Sequence, residues 1–502
     1  MKLLTNHLSA AIALSLIAAG ASASKAHANE DTVSTELPPL MQQINNGNWL
    51  EESEAQKLVD ELYYHRAIQA YYDMLPAMNT IGLRDGSEAV FGAGYNVIPI
   101  WKERMDSRAW VPTPNADVIY SMGYADLKET GPLVVAAPPN TVSMLTDFFQ
   151  VTLTDVGAAG PDGGKGGLYL LLPPNYDGPV PNGGYYTFES PTYNVFIFFR
   201  TIMKQGDGGP DPSEAVATAE QIRIYPLWEV EKDIPAMEFP NASGKRLNMM
   251  YETDFDFWTK MKEFVDHEPY SAIPPATRGV LASLGIKKGE PFNPTAKQME
   301  SLNKAMEVAP KMIFASRQVG RPDGRNFYYY DRQYERVWSG ATAEFMQDGY
   351  LDIDQRAAFM QFAYSTSPAM VKRVINGGAK YPVTARDADG EFLNGSHHYK
   401  LHLPAGIPAK LFWAVTLYNV TDGTMPETDQ FMPSINQFND YEKNDDGSVD
   451  LYFGPTLPDG APESNFIKTV EGRNFLTAVR LFGTGIEFFD QTWKPDDVAK
   501  ID

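Results

Sequence analysis

The 502-residue chain has no cysteine. Disulfides, thiolate nucleophiles and zinc or iron–sulfur centres held by thiolates are therefore excluded. Positive charge is scarce: 42 Lys and Arg stand against 64 Asp and Glu, for a formal charge of −22. Nucleic-acid binding needs a basic footprint, so no nucleic-acid partner is expected. Long apolar runs are also missing, since nothing after the leader approaches the ~20 uninterrupted apolar residues of a bilayer span. No integral membrane anchor is expected. The Gly-x-Ser-x-Gly nucleophile elbow is absent too. What the chain does have is 43% hydrophobic and 12% aromatic residues, which argues against wholesale disorder. Its length predicts two to four domains or one large composite, ample for a sizeable core.

Residues 1–28 read as a secretory signal peptide. Lys2 supplies the charge, Leu8–Ala19 an apolar run, and Ala26-His27-Ala28 a small-x-small site ahead of the polar Asn29-Glu30-Asp31. Losing Lys2 and Lys25 takes the formal charge from −22 to −24. The mature chain is expected to be periplasmic or secreted.

Residues 29–201 are expected to hold an N-terminal helix and a first β module, residues 202–376 a mostly helical insert, and residues 377–502 a second β module. Glu51–Leu75 has mostly helical apolar spacing and should end at Pro76. Strand-like runs follow at Val118–Met122, Leu133–Ala137, Val151–Leu153, Leu168–Leu172 and Val195–Arg200. Helices are expected at Ser213–Arg223, Asp254–Val265, Ala296–Val308 and Asp354–Ile375.

The two β modules resemble each other. Phe149–Val156 sits beside Trp413–Val420, Leu168–Pro173 beside Asp450–Pro455, Asp177-Gly178 beside Asp459-Gly460, and Phe196–Arg200 beside Leu476–Arg480. The matches come in one order, as a duplicated unit would give. The predicted fold is mainly β with a helical insert, as two jelly-roll-like antiparallel modules in tandem (a double jelly roll). By analogy with paired jelly rolls, self-assembly as a homo-oligomer, a trimer, is expected.

Specific motifs carry a family resemblance. Thr113-Pro114-Asn115-Ala116-Asp117-Val118-Ile119-Tyr120-Ser121, Ala125-Asp126-Leu127 and Gly131-Pro132 resemble the domain-of-unknown-function family 1254. Leu411–Tyr418, Asn444–Ser448 and Arg480-Leu481-Phe482-Gly483 resemble family 1214. The resemblance covers roughly residues 60–500, with Phe466 where the family more often carries Trp. It implies an exported, envelope-associated, β-rich protein and no established reaction.

Asn115, Asp117 and Tyr120 form the best candidate ligand surface, since their polar groups suit hydrogen bonds to a glycan or small polar ligand. The competing reading has Asn115 and Asp117 in a turn and Tyr120 in the core. Asp147 and Arg200 join the ligand candidates; Asp147 precedes Phe148-Phe149 and, if buried, needs Arg200 or Arg480 as its partner. His398 and His402 are weak metal candidates: on a strand they lie about 13 Å apart at ~3.3 Å per residue, too far to share one zinc. No cofactor is otherwise expected. The glycine-rich 157–167 segment lacks the Ser or Thr a phosphate loop needs after Lys165, and 442–453 lacks the final Glu of a calcium loop. The sequence thus points to a self-assembling, ligand-binding exported protein, with a carboxylate-dependent hydrolase or lyase of polysaccharide or envelope substrates as the alternative.

Overall fold

The computed structural model describes residues 46–207, 209–229, 235–320, 327–338 and 340–502. The proposed leader lies outside them. Residues up to Lys57 form one unit and Leu58–Asp502 another. Of the first, a turn at 46–47 and the beginning of a helix from Glu52 are described. Everything below concerns the second.

The architecture is mainly β with helices, and its strands fall into two modules. In the first, β1 (Val118–Asp126), β2 (Leu133–Ala137), β3 (Val142–Asp147), β4 (Thr152–Gly157), β5 (Gly167–Leu172), β6 (Tyr186–Glu189), β7 (Asn194–Ile202) and β8 (Arg223–Pro226) make two four-stranded sheets, ordered β8-β2-β5-β6 and β1-β7-β3-β4. In the second, the first strand is split into β9 (Gly377–Lys380) and β10 (Val383–Thr384). Then come β11 (Tyr399–Leu403), β12 (Ala409–Asn419), β13 (Ser434–Asn436), β14 (Val449–Gly454), β15 (Phe466–Lys468), β16 (Phe475–Thr484) and β17 (Ala499–Lys500). Their sheets are ordered β17-β11-β14-β15 and β9-β16-β12-β13, with β10 also on β16.

The two modules therefore match strand for strand. Even the parallel pair β5–β6 has its counterpart in β14–β15 among otherwise antiparallel neighbours. This matching assigns β7 to β16 and β5 to β14, which agrees with three of the four sequence pairings. The fourth is corrected. The partner of β12 is β3, a strand whose mixed Val-Ser-Met-Leu-Thr-Asp composition hides it, and 149–156 belongs largely to β4, the counterpart of β13.

Alternation explains the layering. Val195, Ile197 and Phe199 on β7 meet Leu133, Val135, Tyr169 and Leu171 of the facing sheet in one core. Tyr399, Leu401 and Leu403 meet Trp413, Val415 and Leu417 in the other. The opposite face of β7, with Phe196 and Phe198, joins a larger core supplied by the helices. Both faces of β7 are thus covered, which is why its sequence reads as a nearly continuous apolar run.

The helical layer comprises α1 (Glu52–Phe91), α2 (Ser213–Ala219), α3 (Asp256–His267), α4 (Pro275–Ser283), α5 (Ala296–Val319), α6 (Ile353–Phe362) and α7 (Pro368–Val371). Two expectations change here. Helix α1 does not end at Pro76 but runs on to Phe91, because Met74, Leu75, Ala77, Met78, Ile81 and Leu83 are all buried and their packing outweighs the lost backbone bond. Beyond it, a side chain at Gly82 or Gly86 would run into the backbone at Tyr251 or Asn248. The single helix expected over Asp354–Ile375 is instead two, α6 and α7, separated by a stretch in which Ser365 takes φ 58°. Strand β8 lies within the range expected to be the helical insert, so the first module extends past residue 201. No helix among the described residues is long and apolar enough to cross a membrane.

Candidate functional site: a cavity between the two β modules

The segment that carries the first family motif is a clasp. Asn115 closes a turn by accepting the Asp117 N–H at 2.7 Å. Asp117 is fully buried and reaches into the second module. Its carboxylate accepts bonds from Ser434 Oγ at 3.0 Å and Asn436 Nδ2 at 2.8 Å, and lies 3.8 Å from both Arg104 and Arg480. The Tyr418 hydroxyl donates to the Pro114 carbonyl at 2.7 Å, and the Thr113 N–H to Gly423 O at 2.8 Å. Asp117 thus holds the modules together.

Beside this clasp lies a cavity of 1280 Å³. The β1-β7-β3-β4 sheet contributes Tyr120, Phe198 and Arg200, its counterpart contributes Tyr418, Ala478 and Arg480, and α5 and α6 supply Phe314, Arg317 and Phe359. Asn115 also lines it; Asp117 and Asp147 do not. Of the expected ligand residues, the structure therefore brings Asn115, Tyr120 and Arg200 together.

The two arginines occupy equivalent positions. Arg200 on β7 faces Tyr120 on β1 in register. Lys380 faces Leu481 and Val383 faces Ala478, a register that sets Tyr381 beside Arg480. Both arginines are about 95% buried. Arg200 Nε donates to Val142 O at 2.7 Å, while Arg480 bonds the Tyr418 hydroxyl and leaves Nη1 with only the 3.8 Å approach to Asp117. Burial opposes the charge on Arg480, but Tyr418, Tyr120, Asp117 and Tyr381 together hold its pKa above the ordinary value. Burial raises the Tyr120 phenol, against the pull of Arg200 and Arg480. The Tyr364 hydroxyl and Ser365 Oγ, both on the cavity wall, are buried without a hydrogen-bond partner.

Across the whole lining, six arginines face three carboxylates. That excess sits in a chain of formal charge −22. Such a wall can hold an apolar or aromatic body and satisfy polar groups placed against its arginines.

The other candidates lie elsewhere. Asp147 is buried, but its partner is neither Arg200 nor Arg480: its carboxylate accepts the Val151 N–H of its own turn at 2.8 Å. Burial pushes its pKa up to about 7, with a further contribution from Glu268. Glu268 is in turn occupied by the N–H groups of Tyr193 and Asn194. His398 precedes β11 instead of lying on it, and both His397 and His398 approach the Asp502 carboxylate, at 3.4 and 3.3 Å. His402 on β11 pairs with Asp450 at 2.6 Å across the ladder. Among the described residues no cluster of three or more His, Asp or Glu side chains is placed to hold a metal ion. In the glycine-rich loop, Asp162 accepts the Gly157 and Gly166 N–H groups and the Tyr169 hydroxyl, so the loop is organised by a carboxylate. Sequence reasoning missed Arg480, Tyr381 and Tyr418 as wall residues. The signal was there in the pairing of Arg200 with Arg480.

Two duplicated β modules around a ligand-sized cavity define the class of protein. Residues 95–226 match the family described as protein of unknown function DUF1254, and residues 378–485 the one described as protein of unknown function DUF1214. The chain thus carries the two domains in tandem, DUF1254 ahead of DUF1214. It is similar in fold to the VPA0106 protein from Vibrio parahaemolyticus, at 16% identity and TM-score 0.54, over 88% of this chain and 100% of that one. An uncharacterised protein from Burkholderia cenocepacia aligns over 92% of this chain and 98% of its own at 12% identity and TM-score 0.41. No curated protein matches.

Proposed function

We propose that this protein is an exported, non-catalytic binding protein that takes up a small organic ligand in the cavity between its β modules. The observation that carries the reading is the 1280 Å³ cavity, whose largely apolar wall carries aromatic side chains and six arginines. The leader-like residues 1–28 support export to the periplasm or beyond. A polar ligand such as a glycan fits the arginines of the wall better than its aromatic side chains.

The double jelly roll and homo-oligomeric assembly belong to the same proposal. Two four-stranded sheets facing one core in each module support the former. The parallel pairs β5–β6 and β14–β15 are the feature it has to accommodate.

Native mass spectrometry of the mature protein, purified from its own periplasm without denaturation, tests the reading. The expected spectrum shows cleavage after Ala28, a discrete oligomer and a retained small-molecule mass per chain. A bare monomer that takes up no small molecule would overturn it.

A further inference from the structure

The duplication leaves one arginine per module at the same site of the same strand, and both line the cavity, one from each module. Arg200 and Arg480 sit at matching positions of β7 and β16, Arg200 beside Tyr120 of β1 and Arg480 beside Tyr381 at the break between β9 and β10, and both act on the Tyr120 phenol. Two buried guanidiniums facing one cavity are costly unless anions meet them. Asp117 meets Arg480 only at 3.8 Å, and Arg480 Nη1 makes no hydrogen bond. Arg200 donates from its backbone N–H and Nε to Ser143 and Val142, and the buried Asp155 carboxylate is the anion that acts on it.

From this geometry we infer that the cavity selects an organic anion: a carboxylate- or sulfonate-type head held between Arg200 and Arg480, with an apolar or aromatic body along Phe198, Phe359 and Tyr418. The inference rests on the binding reading above and specifies its ligand class. Planar guanidiniums suit such heads because they donate paired, charge-assisted bonds. The selection must be local, since a chain of formal charge −22 repels anions at long range.

Two fluorescent probes with one body test it. 8-Anilinonaphthalene-1-sulfonate carries the anionic head, and N-phenyl-1-naphthylamine is the same body without it. Each is titrated against the mature protein at physiological ionic strength. The sulfonate is expected to bind about tenfold tighter than the neutral probe, one per chain. In Arg200→Gln and Arg480→Met the ratio of the two dissociation constants is expected to fall toward one. The wild-type ratio stands alone should Arg480→Met fail to fold. Equal binding of the two probes would overturn the anion assignment and leave the cavity reading intact. Failure of both to bind would overturn both. A wild-type preference that persists in Arg200→Gln and in a folded Arg480→Met would place anion selection elsewhere and contradict the assignment.

Discussion

At matching positions of β7 and β16 the two modules carry Phe196 against Leu476, Phe198 against Ala478, and Arg200 against Arg480. The arginine is common to both; the bulk is not. In the first module Phe196 and Phe198 stack with ring centroids 5.3 Å apart and join the core built with the helices. In the second, smaller side chains leave room, and Ala478 lines the cavity. The first strand differs as well: β1 is continuous over nine residues, whereas its counterpart breaks at Tyr381-Pro382, where proline has no N–H for the ladder. One copy of the unit has become a filled wall and the other a hollow one, which is how a duplicated scaffold can enclose a site.

The largest expected effect comes from breaking the clasp between them. Asp117→Ala would strip the partly buried Arg104 and the buried Arg480 of their shared carboxylate and leave Ser434 and Asn436 short of a bond. It is expected to cost ~3–5 kcal/mol in urea unfolding. Next, Phe198→Ala should make the first wall resemble the second. It should cost about 3 kcal/mol and enlarge the cavity. A loss under half of that would show that the filled wall does not depend on this ring.

Asp147 gives a pH test of the first module alone. Its carboxyl is raised to about 7 in the folded state, chiefly by burial, against 3.8 ordinarily. The folded state holds that proton more tightly, so the associated stability is full below pH ~4 and is lost as pH rises through 7. Asp147→Asn should flatten the stability profile over that window in thermal unfolding. An unchanged slope would mean that the carboxyl titrates normally. The smallest stability change, within ~1.5 kcal/mol, is expected for Ala478→Phe, because the added ring enters space instead of a packed core.

The duplication was legible because apolar strand runs survive in the same order in both copies: Leu168–Leu172 and Leu451–Phe453, Phe196–Arg200 and Leu476–Arg480. Strand β3 was not, since its Ser and Thr residues dilute the pattern. The course of α1 past Pro76 was hidden because burial of the following turns, a tertiary property, overrides a local breaker. Of the five ligand candidates, Asn115, Tyr120 and Arg200 line the cavity, and Asp117 and Asp147 do not. The role of Asp117 could not be read, because the side chains that donate hydrogen bonds to it lie 299 to 319 residues away along the chain. Asp147 fails as a partner of the arginines for a local reason: the turn after it supplies an N–H before any guanidinium can arrive.

The most direct test of the account is a titration of N-phenyl-1-naphthylamine against the mature protein and its Ala478→Phe variant, with unfolding followed on both. The account predicts one saturable site per chain in the wild type and a loss of binding of about tenfold or more in a variant that stays folded. Unchanged uptake in that variant, or none in the wild type, would contradict the claim that the hollow between the modules is the binding site.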